Sequence, residues 1–136
     1  MRAAFAVALL VLGMAALSCG DSTTSEPEPD PDPIPGWLKV RLTTSNGDDG
    51  GIMFTVSGPQ IDSVRSSYPD FFKADSGPAS VRIIVAGHLT SGGVVAEVLV
   101  PDVQSPDDYT ATVEQLAARD TYEQRPVASA SLAVAR

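Results

Sequence analysis

A chain of 136 residues with seventeen Asp/Glu against nine Lys/Arg, one cysteine and one histidine excludes several classes of protein. Its net charge of -8 leaves no basic patch to release counterions from a phosphate backbone, so no nucleic-acid partner is expected. A single cysteine makes no cystine, and one histidine without a spare thiolate cannot close a zinc site, so neither a disulfide framework nor a metal cofactor is expected.

Met1-Arg2 supplies a minimal positive start, and residues 3–17 are uncharged and rich in Ala, Val and Leu. That run suits the apolar region of a signal peptide and falls short of the roughly 18–20 residues a spanning helix needs. It ends in Ala16-Leu17-Ser18-Cys19-Gly20. The stretch resembles the lipobox of bacterial lipoproteins, with small Ser18 before the cysteine, and departs from it at Ala16, where leucine is usual. The resemblance implies a signal peptide over 1–18, diacylglycerol on the Cys19 sulfur, an acylated new amino terminus and membrane attachment in the cell envelope. In such lipoproteins of diderm bacteria an Asp directly after the cysteine tends to retain the protein at the inner membrane. Gly20 stands there, so the outer membrane is the expected destination. The plainer reading of the same residues is an ordinary secretory signal with Cys19 incidental.

Residues 19–36 read as a tether. Proline at 27, 29, 31, 33 and 35 forbids helix and removes the donors a sheet needs. Asp21, Glu26, Glu28, Asp30 and Asp32 give residues 20–36 a charge of -5 with no cation, and their repulsion stiffens a polyproline II segment. At ~3.1 Å per residue the ten residues from Glu26 reach about 30 Å, enough to hold a domain clear of a lipid surface. A specific Pro-rich recognition motif is the sharper alternative to a disordered spacer.

From Trp37 onward strand signals dominate, and 37–136 is expected to be one domain. Leu38, Val40 and Leu42 alternate with Lys39, Arg41 and Thr43; after the Asn46–Gly51 turn, Ile52, Phe54 and Val56 alternate with Met53, Thr55 and Ser57. Gly58-Pro59 breaks that run, and residues 61–65 resume it. Val81, Ile83 and Val85 share a face in 79–86. Ser91-Gly92-Gly93 leads into 94–100, which Pro101 ends. Tyr109, Ala111 and Val113 alternate, as do Ala130, Leu132 and Val134 in the closing run. About seven short strands with regular turn signals predict an all-β fold, a small Ig-like antiparallel β-sandwich. Between 114 and 119 the alternation slips, because Leu116 is out of phase with Val113. A bulged strand is favoured there over a short helix.

The order of elements resembles the cohesin group of bacterial extracellular sandwiches and their carbohydrate-binding relatives. The likeness lies in Gly51-Ile52-Met53-Phe54-Thr55-Val56, Ile61-Asp62-Ser63-Val64, residues 81–86, the Leu89–Gly93 turn and Val94-Ala96-Val98-Val100. It covers most of 37–136 on pattern rather than on a signature motif. It implies the cohesin-like sandwich architecture and hints at a binding role.

Few residues carry chemistry. His88 follows Gly87 at a strand end with no nucleophile elbow anywhere in the chain, and reads as a solvent-facing loop residue. Asn46, Asp48 and Asp49, and again Asp102, Asp107 and Asp108, could lend oxygens to calcium, but neither group has calcium-loop spacing, and solvated hairpin loops are the simpler reading. Nothing singles out a carboxylate pair for glycoside hydrolysis. Tyr68-Pro69-Asp70-Phe71-Phe72, in the longest irregular segment, is the expected contact surface, with Tyr68, Phe71 and Phe72 as binding residues for a protein or glycan. The competing reading is that Phe71 and Phe72 plug one end of the sandwich. Trp37 carries the same ambiguity. The sequence thus predicts a non-enzymatic, membrane-anchored binding or envelope-interaction lipoprotein, or alternatively a structural envelope subunit without a ligand of its own.

Overall fold

Period-2 alternation of apolar residues governs the part of the chain that a computed structural model describes, residues 29–136. The signal-type segment 1–18, Cys19 and the tether as far as residue 28 lie outside the described residues. Pro31–Arg136 forms one compact unit that holds every core residue named below.

The described residues form nine strands: β1 Gly36–Thr44, β2 Asp49–Ser57, β3 Ser63–Arg65, β4 Asp70–Asp75, β5 Ser80–Ala86, β6 Val94–Val100, β7 Thr110–Ala118, β8 Gln124–Arg125 and β9 Ala130–Ala135. They assemble into two antiparallel sheets, ordered β3-β6-β1-β9 and β4-β5-β2-β7-β8. The all-β, sandwich-like fold read from the alternation is the one observed. Leu38, Val40 and Leu42 of β1 and Val98 and Val100 of β6 supply one inner face. Ile52, Phe54 and Val56 of β2 and Val81, Ile83 and Val85 of β5 supply the other. Each such side chain, fully buried, contributes about 1.5–3 kcal/mol of transfer free energy.

The slip at 114–119 is a bulge within a strand. Phe54 pairs with Val113 and Met53 with Gln115, so Glu114 is left without a partner on β2. The extra residue restores phase and sets Leu116 opposite Ile52, where it is 1% exposed. A helix would have carried Leu116 away from that ladder.

Two strands exceed the expected seven. β4 lies in what reads as the irregular 66–78 stretch, because an edge strand with the sequence Asp-Phe-Phe-Lys-Ala-Asp shows no apolar alternation. β8 is two residues long, below what any periodicity reveals. The last tether residues also belong to the folded unit. The Ile34 N–H donates to Asp102 Oδ1 at 3.1 Å, the Val103 N–H to the Ile34 carbonyl at 2.8 Å, and Gln104 Nε2 to the Asp32 carbonyl at 2.8 Å. These N–H groups, first that of Gln104 and then that of Ile34, hold the Asp102 carboxyl below its ordinary range.

One glycine is set by close approach. The Tyr109 ring lies against Gly58, where a methyl group would collide with it, and the phenol donates to the Gln60 carbonyl at 3.0 Å. Burial of that ring pushes the phenol pKa up.

Candidate functional site

The segment expected to be a contact surface divides between two faces. In β4, Phe71 pairs with Val85, a buried residue, and packs against the core. Phe72 pairs with Ile84 and points the other way, 66% exposed. Tyr68 also packs on the core; its hydroxyl donates to the His88 carbonyl at 3.3 Å, and its ring lies against Gly87. Of the three residues singled out, Phe72 alone is presented to solvent, because consecutive strand residues face opposite ways.

Register places Phe72 in a row that crosses the outer face of the five-stranded sheet. Phe72 of β4, Ile84 of β5, Met53 of β2 and Gln115 of β7 stand side by side. Ile84 is 42% exposed, so Phe72, Ile84 and Met53 form an apolar ridge. The neighbouring row runs Asp70, Ala86, Gly51, Ala117, Gln124. Its small central residues leave a shallow trough, lined by Gly51, Met53, Ile84, Ala86 and Ala117 and rimmed by Gln115 and Gln124. Apolar centre and polar rim are the composition of a docking surface.

On the far side of the ridge the face becomes polar. Arg82 Nε meets Glu114 Oε2 at 2.9 Å and Arg82 Nη2 meets Oε1 at 3.4 Å, a forked pair, while the Thr55 hydroxyl donates to Oε1 at 2.5 Å. The Thr55 hydroxyl first, and the Arg82 guanidinium after it, hold the Glu114 carboxyl below its usual range. Glu114 is the bulge residue itself, so the extra residue that rephases the strand also supplies this anion.

Sequence reasoning missed Tyr122. It lies in the turn between β7 and β8, is 84% exposed and holds φ at +58°, a conformation non-glycine residues rarely adopt. The only available signal was an aromatic residue in a polar stretch, Asp120-Thr121-Tyr122-Glu123.

The other residues considered from sequence take structural roles or stay apart. His88 is exposed in the loop after β5. Trp37 faces outward on the four-stranded sheet beneath Arg65, whose guanidinium carbon is 4.1 Å from the ring centroid while its Nε meets Glu97 Oε2 at 2.7 Å. Asp49, read as part of a solvated loop, is fully buried. Its Oδ2 accepts from the Thr44 hydroxyl at 2.5 Å and Asn46 Nδ2 at 3.4 Å, and its partner in charge is Arg125, which also meets Asp48 at 2.5 Å. A single guanidinium thus meets both carboxylates of the acidic loop. No group of three or more His, Cys, Asp or Glu converges to hold a metal ion among the described residues.

In comparisons with known proteins, no family model, no curated protein and no solved structure matches the chain.

Proposed function

We propose that the protein is a lipid-anchored, extracytoplasmic binding lipoprotein whose sandwich docks a protein partner on the outer face of its five-stranded sheet. The observation that carries the reading is the ridge of exposed Phe72 and Ile84 and half-buried Met53 beside a trough of small residues. A sheet face turned to water would ordinarily alternate polar residues with the buried ones. Two of the three ridge residues are aliphatic or thioether, and polar groups gather at the rim. That distribution suits protein side chains better than sugar hydroxyls, and methionine adapts to irregular surfaces. Anchoring rests on the Cys19 lipobox resemblance, which also supports an envelope address at the outer rather than the inner membrane, with the acidic Pro-rich segment as the spacer.

Two measurements test the two halves. Growth with an alkyne-tagged palmitate should label the wild-type protein and leave Cys19→Ala unlabelled; equal labelling defeats the anchor. Immobilised Pro31–Arg136 should retain an envelope protein that the Phe72→Ser/Ile84→Ser variant releases, with no signal on a glycan array. Equal retention by that variant removes the ridge from the proposal, and a glycan signal lost with it replaces the protein partner by a sugar.

A further inference from the structure

A sandwich with two open sheets has four edge strands, and three of them here carry the usual protection against pairing with a stranger. β3 spans three residues and β8 two. β4 pairs Lys73 with inward-facing Ile83, which turns a charged residue toward the inner side of the edge, 3.7 Å from Asp75. β9 has none of these devices. Its six residues, Ala-Ser-Leu-Ala-Val-Ala, include no charge and no proline, and its register with β1 runs without a bulge.

Which backbone groups of β9 point outward follows from the ladder. Leu42 of β1 exchanges hydrogen bonds with the opposite neighbour: the Leu42 N–H donates to the Gly93 carbonyl at 2.9 Å, and the Gly92 N–H donates to the Leu42 carbonyl at 2.6 Å. Its pairing with Leu132 is therefore of the non-bonded kind, and the Ser45 N–H bond to the Ser129 carbonyl, at 3.1 Å, fixes the same alternation. Ser131, Ala133 and Ala135 bond to β1, while Ala130, Leu132 and Val134 aim their backbone groups away from it. The Ala130 N–H is already taken by the Val127 carbonyl. Among the described residues, the outward donors that remain are Leu132 and Val134; the acceptors that match them in an antiparallel copy are Leu132 and Ala130.

We infer that β9 pairs antiparallel with β9 of a second copy of this chain, in the register that sets Leu132 against its own symmetry mate. In that register each Leu132 N–H meets the other Leu132 carbonyl, and each Val134 N–H meets the other Ala130 carbonyl. The free donors are consumed one for one, and the two-fold axis makes the contact closed. The side chains agree. Leu132 and Val134 face inward but stay only partly buried, whereas their β1 partners Leu42 and Val40 are fully buried. The cause is an open seam between β9 and β7, lined by Ala111, Val113, Val127, Ala130 and Leu132, with Val127 45% exposed. A second β9 lays its own Leu132 over that seam. The small outer residues Ser131 and Ala133 then stand opposite one another's mates, without charge to repel.

Sedimentation of Pro31–Arg136 from micromolar to near-millimolar concentration reads the association, and two exposed outer positions test the register. Ser131→Lys/Ala133→Lys places like charges directly opposite across the two-fold axis and should weaken the dimer roughly tenfold. Ser131→Lys/Ala133→Glu, with the same positions exposed, should restore it or tighten it. Thermal unfolding at low micromolar concentration should show both variants folded. A wild-type unit that stays monomeric throughout overturns the inference, and so does a dimer indifferent to both variants. A dimer broken by Phe72→Ser/Ile84→Ser instead would assign self-association to the other sheet, which also overturns it.

Discussion

Arg125 Nε faces Asp49 Oδ1 at 3.6 Å, and neither atom has a hydrogen-bond partner among the described residues. The pair joins β8, two residues long, to the start of β2. Asp49 is fully buried, whereas Arg125 keeps 28% of its side chain in solvent. A carboxylate in that position depends on the guanidinium for compensation, since the Thr44 and Asn46 donors reach only its other oxygen.

Arg125→Met is therefore expected to destabilise the domain by about 3 kcal/mol, because it strands a buried charge. Urea unfolding measures it. Adding Asp49→Asn should recover most of the loss, since a neutral amide needs no counter-ion. A double variant as unstable as Arg125→Met alone would show that the guanidinium matters through packing rather than charge.

Phe71 and Phe72 separate core from surface in adjacent positions. Phe71→Ala should cost about 2 kcal/mol, below the roughly 3–5 kcal/mol of a fully buried phenylalanine because the side chain is only partly buried. Phe72→Ser should change unfolding by no more than about 0.5 kcal/mol, as exposed substitutions usually do, while abolishing the protein capture proposed above. Comparable destabilisation by both would mean that Phe72 is a packing residue.

These two phenylalanines also show what was and was not legible in the sequence. Leu38, Val40, Leu42, Ile52, Phe54 and Val56 declare their inner face by alternation alone, whereas the slip at Leu116 fits either a bulge or a short helix, and only the pairing with β2 decides for the bulge. Phe71 and Phe72 are the same residue type, and only the pairing with Val85 and Ile84 decides which is buried. Asp49 read as solvated because its compensating cation lies far along the chain, on a strand too short to show a period. The inward set of β9 was legible, but its partial exposure follows from sheet order, which alternation does not encode. The apolar ridge is hidden for the same reason: Phe72, Ile84 and Met53 become neighbours only through non-local strand pairing.

Glu114 supplies the pH dependence with the clearest structural cause. The Thr55 hydroxyl and the Arg82 guanidinium lower its folded-state pKa below the unfolded value. Its contribution to stability is thus fully present above the ordinary glutamate range and is lost as pH falls through the depressed folded value. Asp102, lowered by the Gln104 and Ile34 N–H groups, acts in the same sense. Thr55→Val removes the largest cause at Glu114. Its carboxyl should then titrate at higher pH by NMR, and the loss of stability in acid should shrink. An unchanged Glu114 titration in that variant would place the cause elsewhere.

Tyr122 holds a left-handed backbone conformation at the tip of the β7–β8 turn with 84% of its surface in solvent. An L-residue there is strained by roughly 1–2 kcal/mol relative to glycine, part of which glycine's greater unfolded-state freedom offsets. Tyr122→Gly should accordingly stabilise the domain by about 0.5–1 kcal/mol, read by urea unfolding. The ring makes no hydrogen bond among the described residues and is not part of the core. The turn joins β7, which supplies Ala117 to the trough, to β8, which supplies Gln124, so the proposed docking on the trough would bring a partner beside the Tyr122 ring. Tyr122→Gly should then weaken capture of that partner while raising stability. A variant that is more stable and binds as well as the wild type would leave the tyrosine without a role in docking.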